Sequence, residues 1–382
     1  MKNKLLIIAG EDSGDMHGSA LINELKLIDN TLEIFGIGGD RMIASGMTAL
    51  YHIKDMSFLG FAEVVKHIPF IKRVQNSLLT KVKEENIKEA VLIDYPGFNL
   101  SLSKKLKKLG VKIIYYISPQ IWAWGKNRIH KIKKLVDLMI VVFPFEKNLY
   151  KNAGVKVEYI GHPLIDRINS YQFLSKQDLF SKYSIDDSKE ILLIMPGSRK
   201  QEILKIFPET IKAAKKLSDE FNFQTVVACS QNIDESLLRS LTKVKDFIVT
   251  TDNTYDFLKY AKFGIIKSGT STLEAGIFKI PFIVVYVTNF LTYLIGKTII
   301  KLESIALVNI VAGEKIVDEL IQNNVKSAKI YETCKTILTN KNKMTTIKNK
   351  LEKIKSLLGN PGASQRAAAL IYNELNEVRK TQ

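Results

Sequence analysis

Residues 5–22 read LLIIAGEDSGDMHGSALI and combine a short apolar run, regularly spaced glycines and an amphipathic helix pattern. This order of strand, glycine turn and helix is typical of the first unit of a doubly wound α/β sheet. However, Gly10, Gly14 and Gly18 lie four residues apart, which is not the spacing of the dinucleotide-binding fingerprint. The turn also carries acidic residues, which repel phosphate. The stretch therefore predicts the fold and leaves the ligand of the turn open.

The rest of the chain repeats this alternation of short apolar runs and helical patterns from end to end. Many runs are continuously apolar, as in parallel strands that are covered on both faces. Their alternation with helices indicates βαβ units, and their number is too large for one compact open sheet. We therefore predict two Rossmann-like domains, with the break after Gly161. The predicted strands read LLIIAG, LEIFGIG, AVLIDY, KIIYYIS, LMIVVF, KVEYIG, EILLIMPG, TVVACS, FIVTT, FGIIKSG and FIVVYV.

The composition is that of a soluble globular protein, with 46% hydrophobic and 25% charged residues in 382. Two cysteines favour a reducing compartment without a disulfide framework. The N-terminal apolar run is too short for a signal peptide. The uncharged stretch Ile280–Gly296 is short for a membrane span and contains polar residues, so we predict a buried strand followed by a helix.

The net charge of +17 is concentrated in the N-terminal half, where residues 61–134 contain 16 Lys and Arg against 5 Asp and Glu. Such a surplus favours nucleic acid, acidic lipid or phosphorylated substrates, although a solvated lysine-rich surface explains it equally well. The stretch Phe58–Val74 places apolar side chains beside cations. That pattern fits a membrane interface, and it also fits a buried helix with a basic outer face.

The turn MPGSRKQEI in the second half predicts an anion site. Gly197 and Ser198 would present backbone N–H groups at a helix N-terminus, and Arg199 adds a permanent cation suited to a diphosphate. The alternative is a simple strand–helix turn with a surface arginine.

A second turn, SGTSTLE, repeats this arrangement later in the same half. Ser268, Gly269 and Thr270 supply small donors and a close-approach glycine. Glu274 lies one turn inside the predicted helix, where a carboxylate suits the hydroxyls of a ribose. It could equally be a first-turn acid stabilised by the helix dipole.

The first half contains its own candidate residues. Asp94, in VLIDYPGFN, ends a predicted strand at the place where open α/β sheets bind ligands, which suits a general base. The alternative is that Asp94 only caps a turn. In SPQIWAWGKNRIHKI, Gln120, Trp124 and Arg128 could contact a sugar or a lipid headgroup, and the tryptophan could also belong to the core.

Several chemistries are disfavoured by missing motifs. The sequence has no D-x-D, no H-x-x-x-H, no paired cysteines, no Walker A loop and no G-x-S-x-G. We therefore predict neither a metal nor a cofactor. Nucleic acid is not an expected partner because no nucleic-acid-binding module is recognised.

Twelve stretches together resemble the lipid-A-disaccharide synthase family, which comprises inverting glycosyltransferases of the GT-B type. They occur in the family's order over nearly the whole chain, and "IVDELIQ" departs from it with Asp318 where proline is expected. The matching stretches are AGEDSGDMHG, GIGGDRM, SFLGFAEVV, IDYPGFN, SPQIWAWGKNRIHKI, FPFEKNLYKNAGV, YIGHPL, PGSRKQEI, SGTSTLEAG, LVNIVAG, DELIQ and PGASQRAA.

The resemblance implies two Rossmann-like, doubly wound domains that face each other across a cleft. Residues 1–165, joined by a C-terminal helix at 360–382, would bind the acceptor, and residues 166–359 would bind the UDP-sugar. The implied reaction joins UDP-2,3-diacylglucosamine to 2,3-diacylglucosamine 1-phosphate (lipid X). The products are the β-1,6-linked lipid A disaccharide 1-phosphate and UDP, and the reaction belongs to lipid A and lipopolysaccharide synthesis in Gram-negative bacteria.

The resemblance also implies residue roles. Asp94 would be the general base, and Arg199 with the Gly197 and Ser198 amides would neutralise the leaving diphosphate. Ser13 and His17, from the opening loop, would face the reacting sugar. The remaining substrate-binding residues would be Ser268, Gly269, Thr270, Glu274, Asn309, Glu319, Gln120, Trp124 and Arg128.

The implied setting is a cytoplasmic enzyme that is peripheral on the cytoplasmic face of the inner membrane. Its basic half would meet the anionic bilayer, and a homodimer is allowed. Two other functions remain open at this point. A UDP-sugar epimerase would turn over without a lipid acceptor, and a basic lipid- or nucleic-acid-binding protein would show no turnover.

Overall fold

The computed structural model describes residues 3–56, 67–122, 128–231, 233–288 and 304–380, with backbone alone for residues 377–380. Its internal contacts divide the chain into two units. The first unit contains Met1–Asp166 and Gly359–Gln382, and the second contains Arg167–Leu358. Each unit is built on its own parallel sheet.

The strands of the first unit are β1 Lys4–Ala9, β2 Glu33–Gly38, β3 Met47–His52, β4 Glu89–Ile93, β5 Lys112–Tyr116, β6 Leu138–Val141 and β7 Val157–Tyr159. They form one parallel sheet in the order β3-β2-β1-β4-β5-β6-β7. The chain builds outward from β1 to one edge and then from β4 to the other. This is the predicted doubly wound arrangement, and it makes the crevice beside β1 and β4 the expected ligand position.

Burial on both faces explains the continuously apolar strands. Every residue of Leu5–Ala9 and of Ala90–Ile93 has no exposed surface. Since helices cover both sides of a parallel sheet, alternating polar positions are not needed in its central strands. Each large aliphatic side chain buried in this way stabilises the fold by about 1.5–3 kcal/mol.

Helices connect these strands. They are α1 Asp12–Ile28, α2 Asp40–Ala44, α3 Ile53–Met56, α4 Ile68–Glu84, α5 Pro96–Lys108, α6 Arg128–Leu135, α7 Pro144–Asn152 and α8 Pro163–Asn169. Helix α8 contains the boundary between the units.

The second unit repeats the plan with strands β8 Glu190–Met195, β9 Phe223–Ala228, β10 Ile248–Thr250, β11 Ala261–Lys267, β12 Phe282–Tyr286 and β13 Glu319–Ile321. Their order is β10-β9-β8-β11-β12-β13. The switch point here lies between β8 and β11. The helices are α9 Lys176–Lys182, α10 Lys200–Phe221, α11 Glu235–Ser240, α12 Thr254–Tyr260, α13 Ser271–Ile277, α14 Leu307–Ala312, α15 Ser327–Leu338 and α16 Lys341–Leu357, with a 3₁₀ turn at Gln322–Asn324.

The last helix, α17 Ala363–Lys380, returns to the first unit and packs along α1. Asp166 caps it, because its carboxylate accepts hydrogen bonds from the N–H groups of Gly362 and Ser364. The Arg366 guanidinium donates two further bonds to the Ile160 carbonyl (2.9 and 2.6 Å). These contacts give the C-terminal PGASQRAA stretch a structural role.

All eleven predicted runs contain strands, and the two strands that sequence reasoning missed, β3 and β13, are edge strands. Most residues of β3 are half-buried and β13 has only three residues, so neither gives a continuous apolar signal. The strand expected at the start of Ile280–Gly296 is β12. The helix expected after it falls on residues outside those that the structure describes.

Candidate active site

The first group of predicted residues lies at the carboxyl edge of the first sheet, where β1 and β4 run side by side. Ala9 pairs with Ile93 at the last position of this ladder. The chain therefore leaves both strands at the same level, and helices α1 and α5 begin shortly afterwards. Open α/β sheets bind their ligands at such a switch point.

Asp94 follows β4 in a backbone conformation that few residues other than glycine adopt. Its φ is +42° and that of Tyr95 is +46°, and each such residue costs about 1–3 kcal/mol. The Asn99 amide offsets this cost by donating to the carbonyls of Ile93 (3.2 Å) and Asp94 (2.7 Å). The Tyr115 hydroxyl donates to the Asp94 carbonyl as well. The half-buried Asp94 carboxyl is thus carried on a fixed main chain.

The first glycine of the opening stretch makes room for the ring of Tyr95. A Cβ atom at Gly10 would lie 2.2 Å from that ring, closer than atoms in folded proteins approach. The Tyr95 hydroxyl donates to the Met56 carbonyl (3.2 Å), and the ring packs on Phe98. Close packing with the strained turn, and not phosphate binding, therefore explains Gly10.

Ser13 and His17 lie on helix α1, which begins at Asp12. The expectation that an active-site loop carries them is wrong, because only Gly10 and Glu11 separate β1 from the helix. Residues four apart share one face of a helix, so both side chains project from the same side of α1. Ser13 is exposed and His17 is half-buried.

His17 packs edge-on against His162, to which sequence reasoning gave no role. Their ring centroids are 6.5 Å apart. Burial, reinforced by His17, lowers the pKa of the His162 imidazole to about 3. The Leu164 N–H donates to His162 Nδ1 (3.1 Å), so the neutral ring carries its proton on Nε2. The His17 ring therefore packs against an uncharged imidazole.

The acidic residues of the opening stretch hold a neighbouring helix. The buried Asp15 carboxylate accepts hydrogen bonds from the N–H groups of Gly39 (2.6 Å) and Met42 (3.1 Å) at the start of α2. The Arg41 N–H donates to its other oxygen (3.2 Å). Asp12 pairs with the Arg41 guanidinium at 3.0 Å. Asp12 and Asp15 therefore have a structural role in this turn, and the turn is not a phosphate site.

A buried carboxyl holds the segment that follows β5. The Ser118 hydroxyl (2.6 Å) and the Trp122 indole (3.1 Å) donate to one oxygen of Glu146. The Phe143 N–H donates to the other (3.3 Å). Glu146 is only 1% exposed, and burial outweighs these donors and raises the pKa of its carboxyl to about 7. Sequence reasoning missed Glu146 because its side-chain donors, Ser118 and Trp122, come from a distant part of the chain.

The predicted contacts around this segment are partly described. Gln120 and Arg128 are both exposed, and Arg128 is the first residue of α6. Trp124 lies outside the described residues. Ile117, with φ +61°, places a branched side chain in the left-handed region at the end of β5. That is a rare conformation for a β-branched residue and marks a second strained turn at this sheet edge.

The second group of predicted residues lies at the carboxyl edge of the second sheet. Met195 of β8 pairs with Ile266 of β11. The turns that follow contain Gly197 at φ +112° and Gly269 at φ +153°. Only glycine adopts these values without strain, so both turns bring main chain close to the same switch point.

The first of these turns leads into the 22-residue helix α10, with Arg199 as its N-cap residue. Ser198 and Arg199 are exposed and Gly197 is half-buried. The free N–H groups and the dipole of a long helix attract an anion at this end.

The second turn is partly occupied by internal hydrogen bonds. Thr270 is exposed, whereas the Ser268 hydroxyl donates to the Ile305 carbonyl (3.0 Å). Glu274 is half-buried and accepts a hydrogen bond from the Tyr255 hydroxyl (3.1 Å). Burial raises the pKa of its carboxyl. Glu274 is therefore more enclosed than an ordinary first-turn acid on a helix surface.

Asn309 and Glu319 bond to main chain. The Asn309 amide oxygen accepts from the N–H groups of Ile316 (2.8 Å) and Val317 (3.1 Å). Its nitrogen donates to Glu319 Oε1 (2.8 Å). The other Glu319 oxygen accepts from the Ile305 N–H (2.9 Å). The pair thus ties together the segments on either side of α14.

A cation and a carboxylate that sequence reasoning missed lie between the two glycine turns. Lys267, the last residue of β11, pairs with Glu202 at 2.8 Å. Arg199 lies 4.0 Å from the same Glu202 oxygen. Lys267 belongs to the predicted strand FGIIKSG, but a strand pattern alone does not predict which group a lysine ammonium will contact.

The described residues contain neither a candidate membrane span nor a candidate metal site. Among the described helices, none is long and apolar enough to cross a membrane. No group of three or more His, Cys, Asp or Glu side chains within the described ranges is arranged to hold a metal ion.

Comparison with known proteins agrees with this arrangement of motifs. Residues 5–372 match the family model described as lipid-A-disaccharide synthetase. The chain belongs to this family. The lipid-A-disaccharide synthases of Geobacter sulfurreducens and Coxiella burnetii are 35% and 34% identical to it. The alignments cover 98% of this chain in both cases, and 98% and 99% of those proteins.

The fold is that of GT-B glycosyltransferases and related epimerases. A UDP-GlcNAc 2-epimerase from Neisseria meningitidis, bound to UDP-GlcNAc, superposes with a TM-score of 0.67 at 14% identity and covers 98% of this chain and 100% of that one. The calicheamicin glycosyltransferase CalG4 gives 0.62 at 13% identity, with 99% of both chains covered. At such identities the likeness concerns the fold alone, and the sequence relatives identify the family.

Within this family chain, the predicted residues fall into two groups. In the first unit, Ser13, His17, Asp94, Gln120 and Arg128 lie on segments that leave the carboxyl edge of the sheet or begin shortly beyond it. The corresponding residues of the second unit are Gly197, Ser198, Arg199, Ser268, Gly269, Thr270 and Glu274.

Proposed function

We propose that this chain is a glycosyltransferase that condenses UDP-2,3-diacylglucosamine with 2,3-diacylglucosamine 1-phosphate. The products are the β-1,6-linked lipid A disaccharide 1-phosphate and UDP. The family match over residues 5–372 carries this proposal. The contrast between the two switch points supports it, because one offers a carboxyl for proton transfer and the other offers cations and helix amides for an anion.

In the proposed mechanism Asp94 is the general base. Its carboxylate takes the proton of the acceptor 6-hydroxyl while that oxygen attacks the anomeric carbon of the donor sugar. A bond forms from the acceptor oxygen to this carbon as the bond to the β-phosphate oxygen breaks, and the electron pair leaves with UDP. One displacement of this kind inverts the anomeric centre. The fixed main chain at Asp94 supports the role, because a general base must be held within hydrogen-bond reach of its proton.

Arg199 and the amides of Gly197 and Ser198 are proposed to stabilise the leaving diphosphate. Charge accumulates on its oxygens in the transition state, and donors fixed beforehand stabilise that charge most effectively. An arginine can donate two parallel bonds to a phosphate. The left-handed Gly197 lets main chain approach the ligand.

The remaining residues are proposed to bind the sugar and the nucleoside. His17 and Ser13 would contact the reacting sugar from one face of α1, with the neutral His162 holding the His17 ring. Glu274 would accept hydrogen bonds from ribose hydroxyls, and Asn309 and Glu319 would hold the loops of the nucleoside site. Further contacts are proposed for Ser268, Gly269, Thr270, Gln120, Trp124 and Arg128.

We further propose a peripheral enzyme on the cytoplasmic face of the inner membrane, because both proposed substrates carry acyl chains. The start of α4 supports this, because Ile68 is 42% exposed and Lys72 and Arg73 are exposed beside it. The positive charge of the N-terminal half would attract anionic lipid. A homodimer is compatible with this location.

Incubation of the purified chain with both lipid substrates, with and without EDTA, tests the proposal. We expect disaccharide 1-phosphate and UDP in both reactions, because Arg199 and helix amides supply the positive charge. Turnover of the UDP-sugar without lipid X would favour an epimerase. No turnover by folded protein, together with lipid binding that survives Asp94→Asn, would favour a binding protein.

A further inference from the structure

The side chain of Lys267 runs beneath the Gly197 turn in the second unit. A Cβ atom placed on Gly197 would lie 3.4 Å from Lys267 Cδ, so the lysine stem passes close to this turn. The ammonium ends 3.9 Å from the position of a Cβ atom on Gly269. The charge is therefore placed between the two left-handed glycine turns, beside the N-terminus of α10.

Glu202 holds the ammonium in this position. The two charged groups are 2.8 Å apart, and their side chains are only 16% and 14% exposed. The second Glu202 oxygen is buried and has no hydrogen-bond partner within the described part of the chain. That oxygen lies 2.8 Å from the position that a Cβ atom on Gly197 would take, so the carboxylate occupies the space that a side chain there would need. A carboxylate there opposes anion binding unless a cation accompanies it.

We propose that Lys267 is a second cation of the diphosphate site, positioned by Glu202 to bind the UDP moiety of the donor. The inference rests on the proposed function, because that function places a diphosphate at these turns. The Arg199 side chain is exposed, whereas that of Lys267 is half-buried. Glu202 is the positioning residue, since it orients the ammonium and does not itself bind the anion.

A half-buried lysine at this place adds to the affinity for UDP in two ways. Its stem is already ordered by the Gly197 turn, so little side-chain entropy is lost when the anion binds. Its charge acts in a poorly solvated environment, where attraction between opposite charges is stronger than in bulk water. A charge-assisted hydrogen bond of about 1.5–3 kcal/mol corresponds to roughly ten- to hundredfold in affinity.

Calorimetric titration of UDP and of uridine into Lys267→Met tests the proposal. We expect UDP affinity to fall roughly ten- to hundredfold, with uridine affinity unchanged because uridine has no phosphate. Lys262→Met is the matched control, since Lys262 lies on the same strand and pairs with the exposed Glu190 at 2.7 Å. It should bind both ligands like the wild-type chain.

The double variant Lys267→Met/Glu202→Gln separates direct binding from simple neutralisation. We expect it to bind UDP at least tenfold more weakly than Glu202→Gln alone, in line with a lost charge-assisted bond of about 1.5 kcal/mol or more. Equal UDP affinities of the double variant and Glu202→Gln would overturn the proposal, because Lys267 would then only neutralise the charge of Glu202.

If Lys267→Met does not fold, Lys267→Gln takes its place, since the glutamine amide can still donate to Glu202. The same loss of UDP affinity is expected, because the amide carries no positive charge. Normal UDP binding by either folded variant contradicts this inference alone. Failure of the wild-type chain to bind UDP contradicts the proposed function itself.

Discussion

The two switch points of this chain have the same topology and different chemistry. Beside β1 and β4, the turn after the sheet is a strained, non-glycine turn that carries Asp94, and the nearby acids cap another helix. Beside β8 and β11, both turns contain left-handed glycines, and the Lys267 ammonium lies between them. A doubly wound sheet therefore fixes where a ligand binds, and the residues of the first turns decide which ligand chemistry is possible.

Conformational strain is distributed differently at the two switch points. At Asp94 and Tyr95 the strain falls on residues with side chains, and hydrogen bonds to the main chain stabilise the turn. Such a turn fits a site where one carboxyl must stay in place. At Gly197 and Gly269 no strain arises, and the benefit is close approach of main-chain donors to an anion.

Asp94→Asn should lower activity more than any other substitution tested. A small loss would remove the proposed chemical difference between the two switch points. Removal of the proposed base should lower kcat by roughly a hundredfold to ten-thousandfold. Disaccharide formation under saturating substrates is the measurement, with circular dichroism to show that the variant folds. Asp55→Asn, at an exposed position of the same unit, is the control and should retain full activity. Near-normal turnover in folded Asp94→Asn would remove the base from the first switch point.

Arg199→Ala is expected to have the next largest effect. Loss of a donor to the leaving diphosphate should lower kcat/KM by about a hundredfold. Arg239→Ala, in the same unit, should not change activity, because Arg239 bonds to Glu235 and to nearby main chain. Equal activities for Arg199→Ala and Arg239→Ala would mean that the second switch point does not bind the leaving group.

Glu146 predicts a pH dependence that belongs to the first unit. Its pKa is raised from 4.5 to about 7 in the folded chain, so between these values the folded state holds a proton that the unfolded state has released. The free energy of unfolding should therefore decrease as pH rises from about 4.5 to about 7, by at most about 3 kcal/mol.

Urea unfolding followed by tryptophan fluorescence measures this dependence, since both tryptophans of the sequence lie in the first unit. In Glu146→Gln the neutral amide removes the titration, and the contribution of this group to the pH slope should disappear. A slope identical to that of the wild-type chain would show that Glu146 does not titrate in this range.

Gly10→Ala tests the packing role of the first glycine and should have the smallest effect, a modest decrease in the free energy of unfolding. The new methyl group would collide with the Tyr95 ring, and such overpacking typically costs about 1–3 kcal/mol. Gly97→Ala is the matched control, because no atom lies within 4 Å of its Cβ position. Its effect on the free energy of unfolding should stay within about 0.5 kcal/mol. Equal stabilities of the two variants would contradict the role given to Gly10.

Sequence reasoning predicted the central features of the fold because they follow from local patterns. Buried parallel strands such as β1 and β4 read as apolar runs, and Gly197 and Gly269 mark the turns after β8 and β11. The edge strands β3 and β13 were missed because an edge strand needs less apolar surface. The loop expected around Ser13 was wrong because helix α1 begins earlier than its glycines suggest.

The partners of the site could not be read from the sequence. Glu146, His162 and Lys267 acquire their roles from contacts with distant segments. Ser118 and Glu146, for example, are 28 positions apart in the sequence. A burial pattern does not show which donors will meet a carboxyl. Asp318 stands where sequence reasoning expects proline. Its carboxylate pairs with Lys343 (3.1 Å), and its carbonyl accepts from the Val284 N–H beside the β12–β13 pairing.

Titration of UDP into the wild-type chain, Asp94→Asn and Arg199→Ala tests whether the base and the leaving-group site belong to different switch points. The two switch points predict opposite outcomes for the two variants. Asp94→Asn should bind UDP with wild-type affinity, whereas Arg199→Ala should bind it at least about tenfold more weakly, as expected for a lost charge-assisted bond. Weaker binding by Asp94→Asn than by Arg199→Ala, or equal loss in both, would contradict the assignment of the base and the leaving-group site to different units.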